Sequence, residues 1–139
     1  MRYRLLDIAT ADIAFEAYGK DLNELFVNIG KAVTEIMTDI KKVKPEMTKE
    51  FEIHSEDLES LVFDFISELL YYKDAEGLVF SEFEIRIEKN EKYNLKCIAK
   101  GEKLKREKHE IRMEVKAATY HQMLIKRDKE WKARIVLDV

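Results

Sequence analysis

Two periods of hydrophobic and polar residues divide the chain. From Leu22 to Met37 the apolar positions fall at helical spacing: Leu22, Leu25, Phe26, Ile29, Ala32, Val33, Ile36 and Met37 line one face. Asp21 stands where an N-cap belongs, and Glu24 three residues on completes a capping-box-like start. The period stops at Thr38 and Pro45 follows, so this helix is expected to end near Thr38. A second stripe runs through Leu58, Leu61, Val62, Phe65, Leu69 and Tyr72, widened by Phe63, Ile66 and Leu70. Ser55 reads as its N-cap, with Glu56 and Asp57 near the positive end of the helix dipole. Gly77 follows as the residue that stops it.

Elsewhere the period is two. Ile13, Phe15 and Ala17 alternate with Asp12, Glu16 and Tyr18, and Phe83, Ile85 and Ile87 alternate with Glu82, Glu84, Arg86 and Glu88. Ile111, Met113, Val115 and Ala117 alternate with Arg112, Glu114 and Lys116. Trp131, Ala133, Ile135 and Leu137 alternate with Lys132, Arg134 and Asp138. Such runs are strands with one face on a core and one face in water. Weaker strands are expected at 2–8, 49–54 and 93–100, and Asp128-Lys129 reads as a hairpin turn before Trp131. The expected fold is α+β: two helices on one face of a largely antiparallel sheet of about seven strands.

Composition fits that picture. Four glycines and one proline in 139 residues leave no linker, so 1–139 reads as a single domain with short loops. Hydrophobic residues at 46% are too many for a disordered chain, and charged residues at 38% too many for a membrane protein. No apolar run is long enough to span a bilayer, and no signal-peptide pattern opens the chain. One cysteine, Cys97, cannot form an internal disulfide, which fits a reducing compartment; the expected location is cytoplasmic. The net charge of −3 conceals a split: −9 over residues 1–90 and +6 over residues 91–139. That split reads either as a charged binding surface or as acidic helices beside basic strands.

The usual catalytic constellations are absent from the sequence. No serine sits in a glycine-flanked strand–turn–helix elbow, and no glycine loop is built to cradle phosphates. Cys97 falls at an inward strand position, as a structural thiol would. His54, His109 and His121 lack zinc-type pairing with cysteine. The basic stretch Lys103-Leu104-Lys105-Arg106-Glu107-Lys108 reads as a solvated turn able to touch phosphates. Asp12, Lys116 and Asp138 stand out because each takes the polar parity of an otherwise alternating strand. Asp12 is isolated in the small and apolar segment Ile8-Ala9-Thr10-Ala11-Asp12-Ile13-Ala14, and Asp138 lies between Leu137 and Val139. A carboxylate in a strand built for burial is costly unless paired or coordinated. Two carboxylates with a backbone or terminal oxygen suit a hard divalent cation; the plainer reading is two exposed strand-end acids, one beside Lys116. The remaining charges read as solvated faces.

These residues also resemble a family. Thr10-Ala11-Asp12-Ile13, Ala17-Tyr18-Gly19-Lys20-Asp21-Leu22 and Glu24-Leu25-Phe26 are similar to the opening block of archease. Gly101-Glu102, His109 and Glu114-Val115-Lys116-Ala117-Ala118-Thr119-Tyr120-His121 resemble its central block. Trp131-Lys132-Ala133-Arg134 and Leu137-Asp138-Val139 resemble its closing strand. One position departs: where the family has a histidine before Thr-Ala-Asp, this chain has Ala9. The resemblance implies an accessory protein, not an enzyme, that activates the GTP-dependent RNA-splicing ligase in tRNA splicing. It implies that ligase as protein partner, with RNA contact indirect or weak and no membrane. It also implies promotion of ligase guanylylation and multiple turnover through a divalent-metal site at Asp12, Asp138 and an oxygen of Val139. Calcium is the expected ion, with magnesium and manganese as alternatives, and Lys116 is the expected functional lysine. The alternative role is a chaperone-like modulator of a tRNA methyltransferase.

Overall fold

In the computed structural model, residues 2–6 and 12–139 are described. The strands are β1 (Tyr3–Leu6), β2 (Asp12–Gly19), β3 (Met47–Ser55), β4 (Leu78–Lys89), β5 (Tyr93–Lys103), β6 (Ala117–Ala118), β7 (Leu124–Arg127) and β8 (Trp131–Asp138); the helices are α1 (Leu22–Met37) and α2 (Leu58–Glu76). The fold is α+β, with both expected helices. Among the described residues the strands number eight and divide between two antiparallel sheets. One is five-stranded, ordered β1-β2-β8-β6 with β7 also on β8; the other is three-stranded, ordered β3-β5-β4. Alternation marks which residues face a core but not which strands pair, so a single sheet and a pair of sheets look alike along the chain.

Helix α1 starts where its cap is. The Asp21 carboxylate accepts the Glu24 N–H at 2.8 Å, and Glu24 reaches back to the Lys20 N–H at 3.2 Å. Helix α2 starts two residues later than Ser55: Asp57 is extended (φ −140°, ψ 173°), and its side chain accepts from Ser60 N–H at 2.8 Å. Ser55 ends β3 instead, with its hydroxyl on Asp64 Oδ2 at 2.7 Å. Gly77 closes α2 at φ +69°, a left-handed conformation that glycine adopts without strain.

Helix α1 lies between the sheets and is buried nearly all round, including the polar Asn28 and Thr34. Gly30 permits its approach to β4: a Cβ there would stand 2.8 Å from the Phe83 ring. Thr34 Oγ1 donates to the Phe80 carbonyl at 2.7 Å, tying the helix to the same strand. One hydrophobic cluster unites both sheets, with Phe15, Ile135 and Leu137 from the larger and Phe80, Leu95 and Ala99 from the smaller.

The expected strand over 111–117 is mostly not a strand. Only Ala117 and Ala118 pair, and Ile111 and Met113 are exposed. The backbone here serves a helix end: Arg112 N–H donates to Met37 O at 3.0 Å and Met113 N–H to Ile36 O at 3.2 Å. These are carbonyls that the last turn of α1 leaves without a partner. The Arg112 guanidinium adds bonds to Glu35 O at 2.8 Å and Glu35 Oε1 at 2.6 Å.

Candidate metal centre

The five-stranded sheet brings together residues from the two ends of the chain. Asp12 on β2 stands directly opposite Asp138 on β8. On the other side of β8, Ala117 of β6 stands opposite Asp138. The Lys116 N–H donates to the Asp138 carbonyl at 2.8 Å. Asp12, Asp138 and Lys116 therefore meet at one end of one sheet. The two aspartates and Val139 are partly buried and Lys116 is exposed. Ala9 and its neighbours Asp7, Ile8, Thr10 and Ala11 lie outside the described residues.

Directly opposed residues of an antiparallel pair have Cα atoms about 4.5–5.5 Å apart. Like charges in that relation destabilise the pair. A cation held between the carboxylates removes the repulsion and supplies the counter-charge. The donors available are carboxylate and main-chain oxygens, the chemistry that hard divalent ions select. The site thus fits such an ion on its ligand type. Among the described residues, no cluster of three or more His, Cys, Asp or Glu side chains is placed to hold a metal.

Two carboxylates elsewhere depart from the solvated faces expected of them. Glu16 is 5% exposed and Glu102 is 6% exposed. Burial pushes the Glu16 carboxyl upward, but hydrogen bonds from Lys132, Tyr18 and Arg4 outweigh it and hold the pKa at about 2. The distances are 3.0 Å to Lys132 Nζ, 2.9 Å to Tyr18 OH and 2.8 Å to Arg4 Nε. The same contest at Glu102 is won by Lys108 Nζ at 2.6 Å, Lys44 N–H at 2.7 Å and His109 Nε2 at 3.1 Å, again at about 2. His109 Nδ1 accepts from Lys105 N–H at 2.9 Å, which leaves the proton on Nε2, facing Glu102. This buried pair pins residues 102–109 against the chain after α1. The signal for the Glu16 cluster was present in Arg4, Glu16 and Lys132, but it needed the strand register to be read. Cys97 is buried, which pushes its thiol up to about 12, so it is a poor nucleophile.

The chain is similar to known proteins over nearly its whole length. The sequence model of the archease protein family (MTH1598/TM1083) matches residues 3–139. The chain belongs to the archease family. It is 47% identical over 133 residues to protein archease of Pyrococcus abyssi, covering 94% of each chain. It is 45% identical over 132 residues to protein archease of Methanothermobacter thermautotrophicus, again covering 94% of each. The solution structure of Methanobacterium thermoautotrophicum protein 1598 superposes with a TM-score of 0.85 at 41% identity, covering 99% of both chains. Archease membership makes the chain an accessory protein of tRNA splicing and not an enzyme. Among the described residues, no helix is long and apolar enough to cross a membrane.

Proposed function

We propose that this archease activates the GTP-dependent RNA-splicing ligase, promoting its guanylylation and multiple turnover through the end of the five-stranded sheet. The observation that supports this reading is the direct opposition of Asp12 and Asp138, with Lys116 bonded beside them. Asp12, Asp138 and a main-chain oxygen of Val139 would hold a divalent ion, calcium by preference and magnesium or manganese as alternatives. When bound, that ion supplies positive charge against which phosphate charge can build. The carboxylates position it, and the strand pairing fixes their separation. Lys116 either balances the carboxylates or meets a phosphate, since a lysine is a point charge that suits both. The protein acts in the cytoplasm, where Cys97 stays reduced.

The test is ligase guanylylation with Asp12→Ala, Asp138→Ala and Lys116→Ala proteins shown to be folded. Each is expected to lose most of the stimulation. Wild-type stimulation by all three would refute the proposal. Stimulation that persists in excess chelator would separate docking from the metal and return weight to a chaperone-like action on a tRNA methyltransferase.

A further inference from the structure

The face of the five-stranded sheet turned away from the helices carries a second ordered group of charges. Arg4, Glu16, Arg134 and Leu124 stand side by side on β1, β2, β8 and β7. In the next row on the same face stand Tyr18, Lys132 and Lys126. Rows of one face are about 6.8 Å apart. Glu16 is the one acid among these residues, and it is consumed by Arg4, Lys132 and Tyr18. In these two rows four cations stand against one buried carboxylate, while Asp12 and Asp138 lie further along the same face. Arg134 is the informative member. Among the described residues it forms no ion pair, and its Nε is buried without a hydrogen-bond partner. A buried donor left unmade is costly, and Arg134 keeps donors for an acceptor that none of the described residues supplies.

We propose that Arg134, Lys126, Arg4 and Lys132 form a strip that binds the sugar-phosphate backbone of a single-stranded RNA. Two observations favour RNA over another polyanion. Arg134 presents a planar fork of donors suited to phosphate oxygens. The strip runs along β8 toward Asp138, four residues or about 13 Å beyond Arg134. This inference rests on the accessory role in tRNA splicing and not on the metal.

The test uses the isolated protein and a fluorescein-labelled single-stranded RNA, with anisotropy read over a range of salt. Each phosphate neutralised on a single strand contributes about −0.7 to the slope of log affinity against log salt. Arg134→Gln and Lys126→Gln are each expected to weaken binding about fivefold at low salt and to shallow the slope by about 0.7. Lys96→Gln, on the outer face of the other sheet, is expected to change neither. Folding is checked by thermal melting, and Lys126, exposed and outside the Glu16 cluster, keeps the test valid if Arg134→Gln melts early. Three results would overturn the proposal: no binding by the wild type at low salt, an unchanged slope in folded Lys126→Gln protein, or equally tight binding of poly-glutamate. Ligase stimulation plays no part in this readout, so its loss or survival bears on the metal proposal alone.

Discussion

The two sheets are built from similar alternating strands and yet behave differently. The three-stranded sheet is assembled from long strands joined locally, β4 pairing with β5 across a short turn. Its outer face is wet, with Glu50, Glu52, Glu82, Glu84 and Glu88 exposed around Lys96 and Arg86. The five-stranded sheet is assembled from the two ends of the sequence, and its outer face holds a buried glutamate among cations. One sheet thus spends its charge on solubility, whereas the other spends it on fixed contacts.

The largest expected effect tests whether the sheets share one fate. Phe15→Ala in the larger sheet and Phe80→Ala in the smaller each remove a fully buried ring from the same cluster. Each is expected to cost about 3–5 kcal/mol and to lower a single melting transition. Two separate transitions by calorimetry would break the picture of a common core.

The next comparison sets Glu16 against Glu84. Glu84→Ala is expected to stay within about 0.5 kcal/mol of wild type, whereas Glu16→Ala is expected to lose on the order of 2 kcal/mol near neutral pH. The folded-state pKa of Glu16, about 2, lies below its ordinary value of 4.5. Its contribution is therefore complete above about pH 4.5 and lost as pH falls toward 2. Urea midpoints of Glu16→Gln should fall less steeply across that window than those of wild type. Glu102, also held at about 2, leaves the variant a residual acid dependence.

Smaller again is Arg112→Ala, which removes the guanidinium from the end of α1 and is expected to cost about 1 kcal/mol by denaturant titration. The smallest shift is the most pointed. Asp138→Asn relieves the opposed carboxylates and is expected to raise stability by a few tenths of a kcal/mol in chelator. In millimolar calcium the order should reverse, since only the wild type gains from the ion. A melting temperature of the wild type unmoved by calcium, magnesium and manganese would remove the metal from the proposal.

How far the chain could be read from its residues follows the same division. Helix α1, its Asp21 cap and the Gly77 stop of α2 depend on neighbours in sequence, and all three were legible. Ser55 misled because a second residue able to cap, Asp57, stands two positions on, and only the backbone turn decides between them. The run Ile111 to Val115 alternates like a strand, but its N–H groups were claimed by the end of α1, a partner far off in sequence. Parity picked out Asp12, Lys116 and Asp138 as chemical oddities. It could not show that Asp12 faces Asp138, because register belongs to a pair of strands and not to either one. Glu16 and Arg134 were missed for a related reason. Alternation sends both to the wet face, and the burial of Glu16 there depends on Arg4, Tyr18 and Lys132, which come from three different strands.

The pairing of β2 with β8 also sets an order in time. These strands lie almost a full chain length apart, so joining them closes a very large loop, and such long-range antiparallel contacts form late. The helices and the β4–β5 hairpin can assemble earlier from local contacts. Until β8 docks, Asp12 and Asp138 are not neighbours, and Arg4 and Lys132 cannot both reach Glu16. A partly folded chain therefore offers neither the carboxylate pair nor the ordered cations, and any partner that reads that end of the sheet meets only finished molecules.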